Sequence, residues 1–420
     1  MSTISSFYNK EVNLEVFSTT NEIGLKVYVI PIKGIDEVQT DIIVGIGGQD
    51  KAYIDRITGK ERQIPAGIAH YIEHLMFYEQ SKEDIMKKFE IMKSYSNAFT
   101  YIDRTVYTVE SPVDDYINPL KKLMEMVFVP YFTTKNLLKE KKIVSSEMDI
   151  REDSENVISF VEDLDVIGVK ENLDKVTPND LYNIYENYYT PNNMAMVICG
   201  DVDISEVFGE IDNMVTKLKL TNKPKVIRKE KEKLNLDTVK IVKSDRKNPK
   251  EVQIGLDFSK IAAKGNKSKF NIIQKIFLET NFTKISDFVF ELEDEGIIEK
   301  ENIIEDNLES YYYDKKSLAI LSAQTKQHEK LKNKILDHLI LSLEKEPNEE
   351  DFNITKKALY ARTIKSLTED IILRVEDVFL YDYKIFDELD LLEEITFDEY
   401  KRALKKIDKK DLKMYLIYYV

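Results

Sequence analysis

The sequence predicts an α+β protein built from two structurally repeated halves, each a mostly antiparallel sheet covered by helices. Three observations predict it. A chain of 420 residues is long enough to build more than one core. Its periodicity runs strand pair, helices, strands, helices, strand, and then runs through that order again. The two passes are separated by a basic, proline-containing run over 218–233, which reads as an exposed linker rather than a nucleic-acid patch. The expected divisions are 1–216 for the first half, 217–235 for the linker and 236–420 for the second half.

Composition narrows the function classes. A net charge of −15 argues against nucleic acid, which needs a basic stripe, and against anionic membranes. The single cysteine, Cys199, stands in an apolar run. It reads as a buried core thiol and rules out an intrachain disulfide and a cysteine-rich metal site. Met1 to Asn9 has no basic segment followed by an apolar one, and no window approaches the roughly eighteen apolar residues of a spanning helix. The expected location is cytoplasmic.

In the first half, Leu25 to Ile32 alternates and is rich in β-branched residues, and Val38 to Gly45 reads as its partner strand. Gly45-Ile46-Gly47-Gly48 lacks the Lys-Ser/Thr and the immediate helix of a phosphate loop. It reads as a strand end where backbones approach closely. After a polar loop over 54–63, Pro65 opens a helix at a favoured first position. Ser81-Lys82-Glu83-Asp84 caps a further helix that Asn97 ends. Ala98 to Val109 reads as one strand. At a sheet edge its backbone could add a substrate strand; otherwise it is an ordinary internal strand. Val113 to Phe128 is an amphipathic helix, and a longer one follows Pro130 and runs toward Phe160. Thr177-Pro178-Asn179-Asp180 starts a helix that reaches Tyr188.

The second half offers strands near 238–242 and 252–258, helices near 266–279 and 284–295, and strands near 302–313 and 317–323. Helices over 327–344 and 349–389 and a last strand over 414–419 complete it. His328 and His338 stand singly in a helical pattern, as surface residues do.

The chemistry concentrates in Gly67-Ile68-Ala69-His70-Tyr71-Ile72-Glu73-His74-Leu75-Met76-Phe77. The chain has four histidines, and two of them sit here, four residues apart, so both imidazoles project from one helix face. That pair suits a divalent metal, with zinc the default for nitrogen ligands and an open position. Glu73 lies beside the same face, where a carboxylate can act as general base. The order His-x-x-Glu-His is the inverzincin pattern. A third ligand is needed. Glu140 and Glu147 lie two turns apart on a helix with an apolar stripe at Leu137, Leu138, Val144 and Met148. One could ligate and the other could hydrogen-bond a ligating histidine; spacing alone leaves a solvated charged face equally open.

This constellation resembles the pitrilysin/insulinase family of zinc peptidases, which includes the mitochondrial processing peptidases. Asn97-Ala98-Phe99-Thr100 followed by Thr105-Val106-Tyr107 is similar to the strand on which those enzymes lay their substrate. Tyr189-Thr190-Pro191-Asn192-Asn193-Met194 and Val197 to Val202 resemble the strand closing the family's first half. The resemblance implies zinc, one per chain, held by His70, His74 and Glu147, with Glu140 as the carboxylate behind a ligand and Glu73 as catalytic base. It implies substrate contacts at Asn97, Ala98, Phe99 and Thr100. Two departures stand out. The family's longer excursion between about 154 and 174 is shortened here. Leu292-Glu293-Asp294-Glu295-Gly296-Ile297-Ile298 stands where active members carry an arginine and a tyrosine for the substrate, and Glu293 cannot serve an oxyanion. The expected partner is therefore a related metal-free subunit forming a heterodimer, or a second copy.

The expected function is a zinc metalloendopeptidase acting on short or unfolded peptides, in peptide maturation or leader removal. The alternative is a non-catalytic peptide-binding or scaffold subunit. A purely structural zinc site would close all four positions, usually with cysteines, and the chain has one.

Overall fold

Strand β4, Glu37–Val44, explains how the first sheet is sided. Successive side chains point to opposite faces. Val38, Ile42 and Val44 enter the large core under the helices, while Asp41 and Ile43 face the other way, and all five are buried. A strand buried on both faces needs cover on both, and the chain supplies the second cover from far along its length.

The computed structural model describes residues 3–81, 84–154, 166–168, 170–229, 239–242, 251–257, 267–283, 286–298, 309–313, 316–381, 384–407 and 413–419. The chain divides into two compact units, 1–232 with 370–385, and 233–369 with 386–420.

The first unit contains β1 (Ser5–Asn9), β2 (Leu14–Thr20), β3 (Lys26–Pro31) and β4, then the short β5 (Ala52–Ile54) and β6 (Glu61–Gln63). Helix α1 (Ile68–Leu75) and α2 (Ile85–Ile91) precede the hairpin β7 (Tyr95–Thr100) and β8 (Thr105–Pro112). Helices α3 (Ile117–Phe128), α4 (Thr134–Ser154), α5 (Lys170–Leu173) and α6 (Pro178–Tyr188) lead to β9 (Met194–Gly200) and α7 (Ile204–Lys217). The sheet order is β1-β2-β3-β9-β4-β8-β7, which leaves β7 at an edge. Among the described residues of this sheet, β3 and β9 are the pair that runs parallel; Ile42 of β4 is in register with Met196 of β9 and Tyr107 of β8.

The second unit has a five-stranded sheet, ordered β11 (Val239–Val242), β15 (Lys413–Tyr419), β12 (Glu251–Asp257), β14 (Lys316–Gln324), β13 (Glu309–Tyr313). Its first and last strands, β11 and β15, pair in parallel, and the other neighbours are antiparallel. Strand for strand this is the order β3-β9-β4-β8-β7 of the first unit. The repeat expected from periodicity is a repeat of topology.

Several local features differ from the sequence pattern. Residues 98–109 are not one strand but parts of a hairpin, with Tyr101 N–H donating to the Arg104 carbonyl at 2.7 Å across the turn. Tyr101-Ile102-Asp103-Arg104 holds no Gly or Asn to signal it. The glycines at 45–48 do mark a close approach, because a Cβ on Gly47 would meet the Ile102 carbonyl oxygen at 2.4 Å. The helix expected over 349–389 is three helices, Glu349–Glu369, Ile371–Tyr381 and Asp387–Glu394. Asp370 Oδ1 accepts from Leu373 N–H at 3.1 Å and caps the second.

That second helix is the missing cover. Residues 370–385, which the sequence order assigns to the second half, pack with the first unit. Lys26 of β3 lies 5.9 Å from the Phe379 ring centroid. Arg104 Nε donates to Glu376 at 2.7 Å, with all three of Arg104, Glu376 and Asp41 buried. The expected linker also carries a strand: β10 (Ile227–Arg228) pairs with β5, and Arg228 Nε donates to buried Asp50 at 2.9 Å. His338 is half-buried rather than on the surface, its ring stacked on Phe288 at 3.9 Å. Cys199 is buried, and burial pushes its thiol up to about 12. Among the described residues no helix is long and apolar enough to cross a membrane.

Candidate metal centre

Helix α1 has two adjacent stripes. Ile68, Tyr71, Ile72 and Leu75 repeat at three and four residues and are buried in the core. His70, Glu73 and His74 form the neighbouring stripe at the same spacing. The helix starts at Ile68, not at Pro65, because Gly67 precedes it with φ 85°. A Cβ there would meet the Ile167 carbonyl oxygen at 2.1 Å, so glycine is required by both conformation and space.

Helix α4 lies against α1. Leu137, Val144 and Met148 are its buried stripe, and the Tyr71 hydroxyl donates to the Leu137 carbonyl, pinning the two helices together. Leu138, counted in the stripe by its sequence position, is 54% exposed. Two turns of α4 separate Glu140 from Glu147 and set both toward α1.

The metal ligands expected from the motif come together. His70 Nε2 and His74 Nε2 are 3.3 Å apart, and Glu147 Oε2 is 3.6 Å from the first and 3.5 Å from the second. Ligands held at about 2.0–2.2 Å at tetrahedral angles are about 3.3–3.6 Å apart, so these atoms form one face of a zinc tetrahedron. His74 Nδ1 donates to Glu140 Oε2 at 3.1 Å, which turns the lone pair of Nε2 toward the other two ligand atoms. The donor set of two imidazoles and one carboxylate fits zinc with one position left open.

The surrounding charges favour a cation. Burial works to lower the His74 imidazole, but the Glu140 hydrogen bond and the charges of Glu147 and Glu73 outweigh it and raise it. Burial also works against the Glu140 charge; hydrogen bonds from His74 and Tyr78 overcome it and hold that carboxyl below its ordinary range. Glu73 is buried, and burial pushes it upward against the pull of Thr100 and His74.

The expected substrate residues divide by face along β7. Phe99 is 45% exposed and Asn97 half-buried, while Ala98 is part of the core. The Asn97 side chain is turned inward on its own strand, accepting from Ala98 N–H at 2.9 Å and donating to the Tyr95 hydroxyl at 3.2 Å. The Thr100 hydroxyl donates to Glu73 Oε2. Sequence reasoning missed this contact and also Tyr78, whose hydroxyl donates to Glu140 Oε1. Tyr78 stands four residues after His74, and that spacing was the available signal. The shortened stretch near 154–174 lies largely outside the described residues, and Glu293 sits at the end of the helix Asp287–Asp294.

The comparisons with known proteins agree with this geometry. The profile of the insulinase family, peptidase family M16, matches residues 59–163, and that of the peptidase M16 inactive domain matches residues 175–359. A Bacillus subtilis protein described as the uncharacterized zinc protease YmfH is 27% identical over an alignment of 400 residues that covers 91% of each chain. The crystal structure of an M16-like peptidase from Alicyclobacillus acidocaldarius matches with a TM-score of 0.82 at 19% identity, covering 100% of this chain and 99% of that one. A protease structure from Helicobacter pylori matches with a TM-score of 0.76 at 18% identity, covering both chains fully. With both halves matched in the family's own order around a His-x-x-Glu-His helix, the chain belongs to the insulinase (M16) peptidase family.

Proposed function

We propose that this chain is a zinc-dependent endopeptidase of short or unfolded peptides. The observation that carries the reading is the tetrahedral face formed by His70 Nε2, His74 Nε2 and Glu147 Oε2, with the Glu73 carboxylate on the same helix. A zinc ion held there would polarise a peptide carbonyl and acidify a water molecule. Glu73 takes the proton of the attacking water on its carboxylate and hands it to the leaving amine. The Thr100 hydroxyl keeps one carboxylate oxygen of Glu73 in place for that transfer. The edge strand β7 offers unpaired backbone groups to an extended peptide, which it reads through main chain more than side chain. Such an enzyme suits peptide maturation or leader removal. Because Glu293 replaces the family's substrate-binding arginine, the missing donors come from a related metal-free subunit or a second copy.

A second reading is a non-catalytic peptide-binding or scaffold subunit, favoured by the match of 175–359 to an inactive-type domain. One experiment separates the two. The purified chain, alone and with candidate partner subunits, is given a pool of unstructured peptides with and without a zinc chelator, beside a Glu73→Gln variant. Chelator-sensitive cutting lost in Glu73→Gln supports the enzyme. A complex that assembles and works equally well with Glu73→Gln supports the scaffold.

A further inference from the structure

Tyr78 is not part of the family's motif, yet it completes the polar chain behind the metal ligands. A carboxylate has two oxygens, and a single hydrogen bond leaves it free to turn about its last torsion. Glu140 is bonded at both. Its Oε2 accepts from His74 Nδ1 at 3.1 Å, and its Oε1 accepts from the Tyr78 hydroxyl. Among the described residues no other side chain donates to Oε1. Glu140 is 6% exposed, so water is a poor substitute for that donor. The phenol is itself held: its backbone N–H donates to the Leu75 carbonyl at 3.3 Å, where α1 ends, and the Lys139 ammonium lies 5.2 Å from its ring centroid.

We propose that Tyr78 is a positioning residue of the metal centre: its hydroxyl fixes the plane of the Glu140 carboxylate, and through it the tautomer and ring orientation of His74. The inference rests on the zinc reading above, and it concerns affinity for the ion. An imidazole free to rotate spends part of its time with Nε2 off the tetrahedral face, and the ion then binds more weakly. Partners of this kind behind a ligand commonly govern 10–100-fold in metal affinity. One bond further from the ion, the lower end of that range applies.

The test is zinc affinity, measured by competition with a chromophoric chelator on the full chain at fixed pH. Tyr78→Phe keeps the ring and its packing and removes only the hydroxyl. It should weaken zinc binding about 10-fold. In a Glu140→Ala chain, where no carboxylate remains to be oriented, the same substitution should change affinity by less than about twofold. Equal zinc affinity in the wild type and Tyr78→Phe would overturn the proposal. So would an equal loss in the Glu140→Ala background, since Tyr78 would then act through packing and not through the carboxylate. A wild-type chain that takes up no zinc would overturn the site itself, a failure distinct from the other two.

Discussion

The hydroxyl of Thr100 donates to Oε2 of Glu73, tying the last residue of the edge strand β7 to the carboxylate between the two histidines. On the proposed reading, a peptide laid along β7 would run beside the residue that would move the proton. Thr100→Val keeps the shape of the side chain and removes the donor. A hydrogen bond to a charged group contributes about 1.5–3 kcal/mol, so kcat should fall about 10–100-fold. KM and zinc content should stay near wild type, and Thr100→Ser should recover most of the loss. A rise in KM with kcat unchanged would assign Thr100 to substrate binding instead.

Gly67 is held left-handed against the Ile167 carbonyl at the start of α1. Gly67→Ala adds a Cβ to both a disfavoured conformation and a filled space. It should cost about 1–3 kcal/mol from the backbone alone, with further loss from displacement of α1. Urea unfolding and zinc competition should both register it, because His70 and His74 move with the helix.

Arg104 is buried with its Nε 2.7 Å from Glu376, and it also pairs with Asp103 at 3.1 Å. Removing one partner of a buried pair strands the other. Arg104→Ala should destabilise by about 3 kcal/mol, the low end of the usual range because Glu376 can take up a proton. Arg104→Lys should recover little, since an ammonium lacks the planar fork that reaches two carboxylates. The midpoint of chemical unfolding measures both.

The same cluster makes stability depend on pH. Burial pushes Asp41 up to about 6 and Glu376 up to about 8, with Arg104 pulling the latter back. Both folded-state values exceed the unfolded ones, so the folded chain holds protons that the unfolded chain has released. Their contribution is complete below about pH 4 and is lost as pH rises through about 6 for Asp41 and about 8 for Glu376. Asp41→Asn should flatten the lower part of that decline and Glu376→Gln the upper part. A stability curve unchanged by either variant would remove the cluster from the account.

Much of this was legible because helices and strands have different periods. The stripes of α1 put His70, Glu73 and His74 together by spacing alone, and the repeated order of elements foretold a repeated topology. Long-range partners were not legible. Nothing local in Arg104 or Glu376 says that they meet across 272 positions. The turn at 101–104 holds no Gly or Asn to announce it. Thr100 was noticed for its motif, but its direction follows from which way β7 faces in the sheet, and that is a fact of tertiary packing. Asp370, read as one more helical residue, is a cap, and a single side-chain acceptor there divides one long helix from the next.

The cover that the helix Ile371–Tyr381 gives to the first unit also sets a timetable for synthesis. A ribosome releases β3, β4, β8 and β9 long before it reaches residue 371, and halves of a protein often begin folding as they emerge. For this chain that start leaves one sheet face, with Asp41 and Ile43 on it, open to water until residues 370–385 have been made. A first half that folds early would therefore present an uncovered apolar face until its own distant segment arrives. Slowing translation between 232 and 385 should lengthen its exposure and its reliance on chaperones.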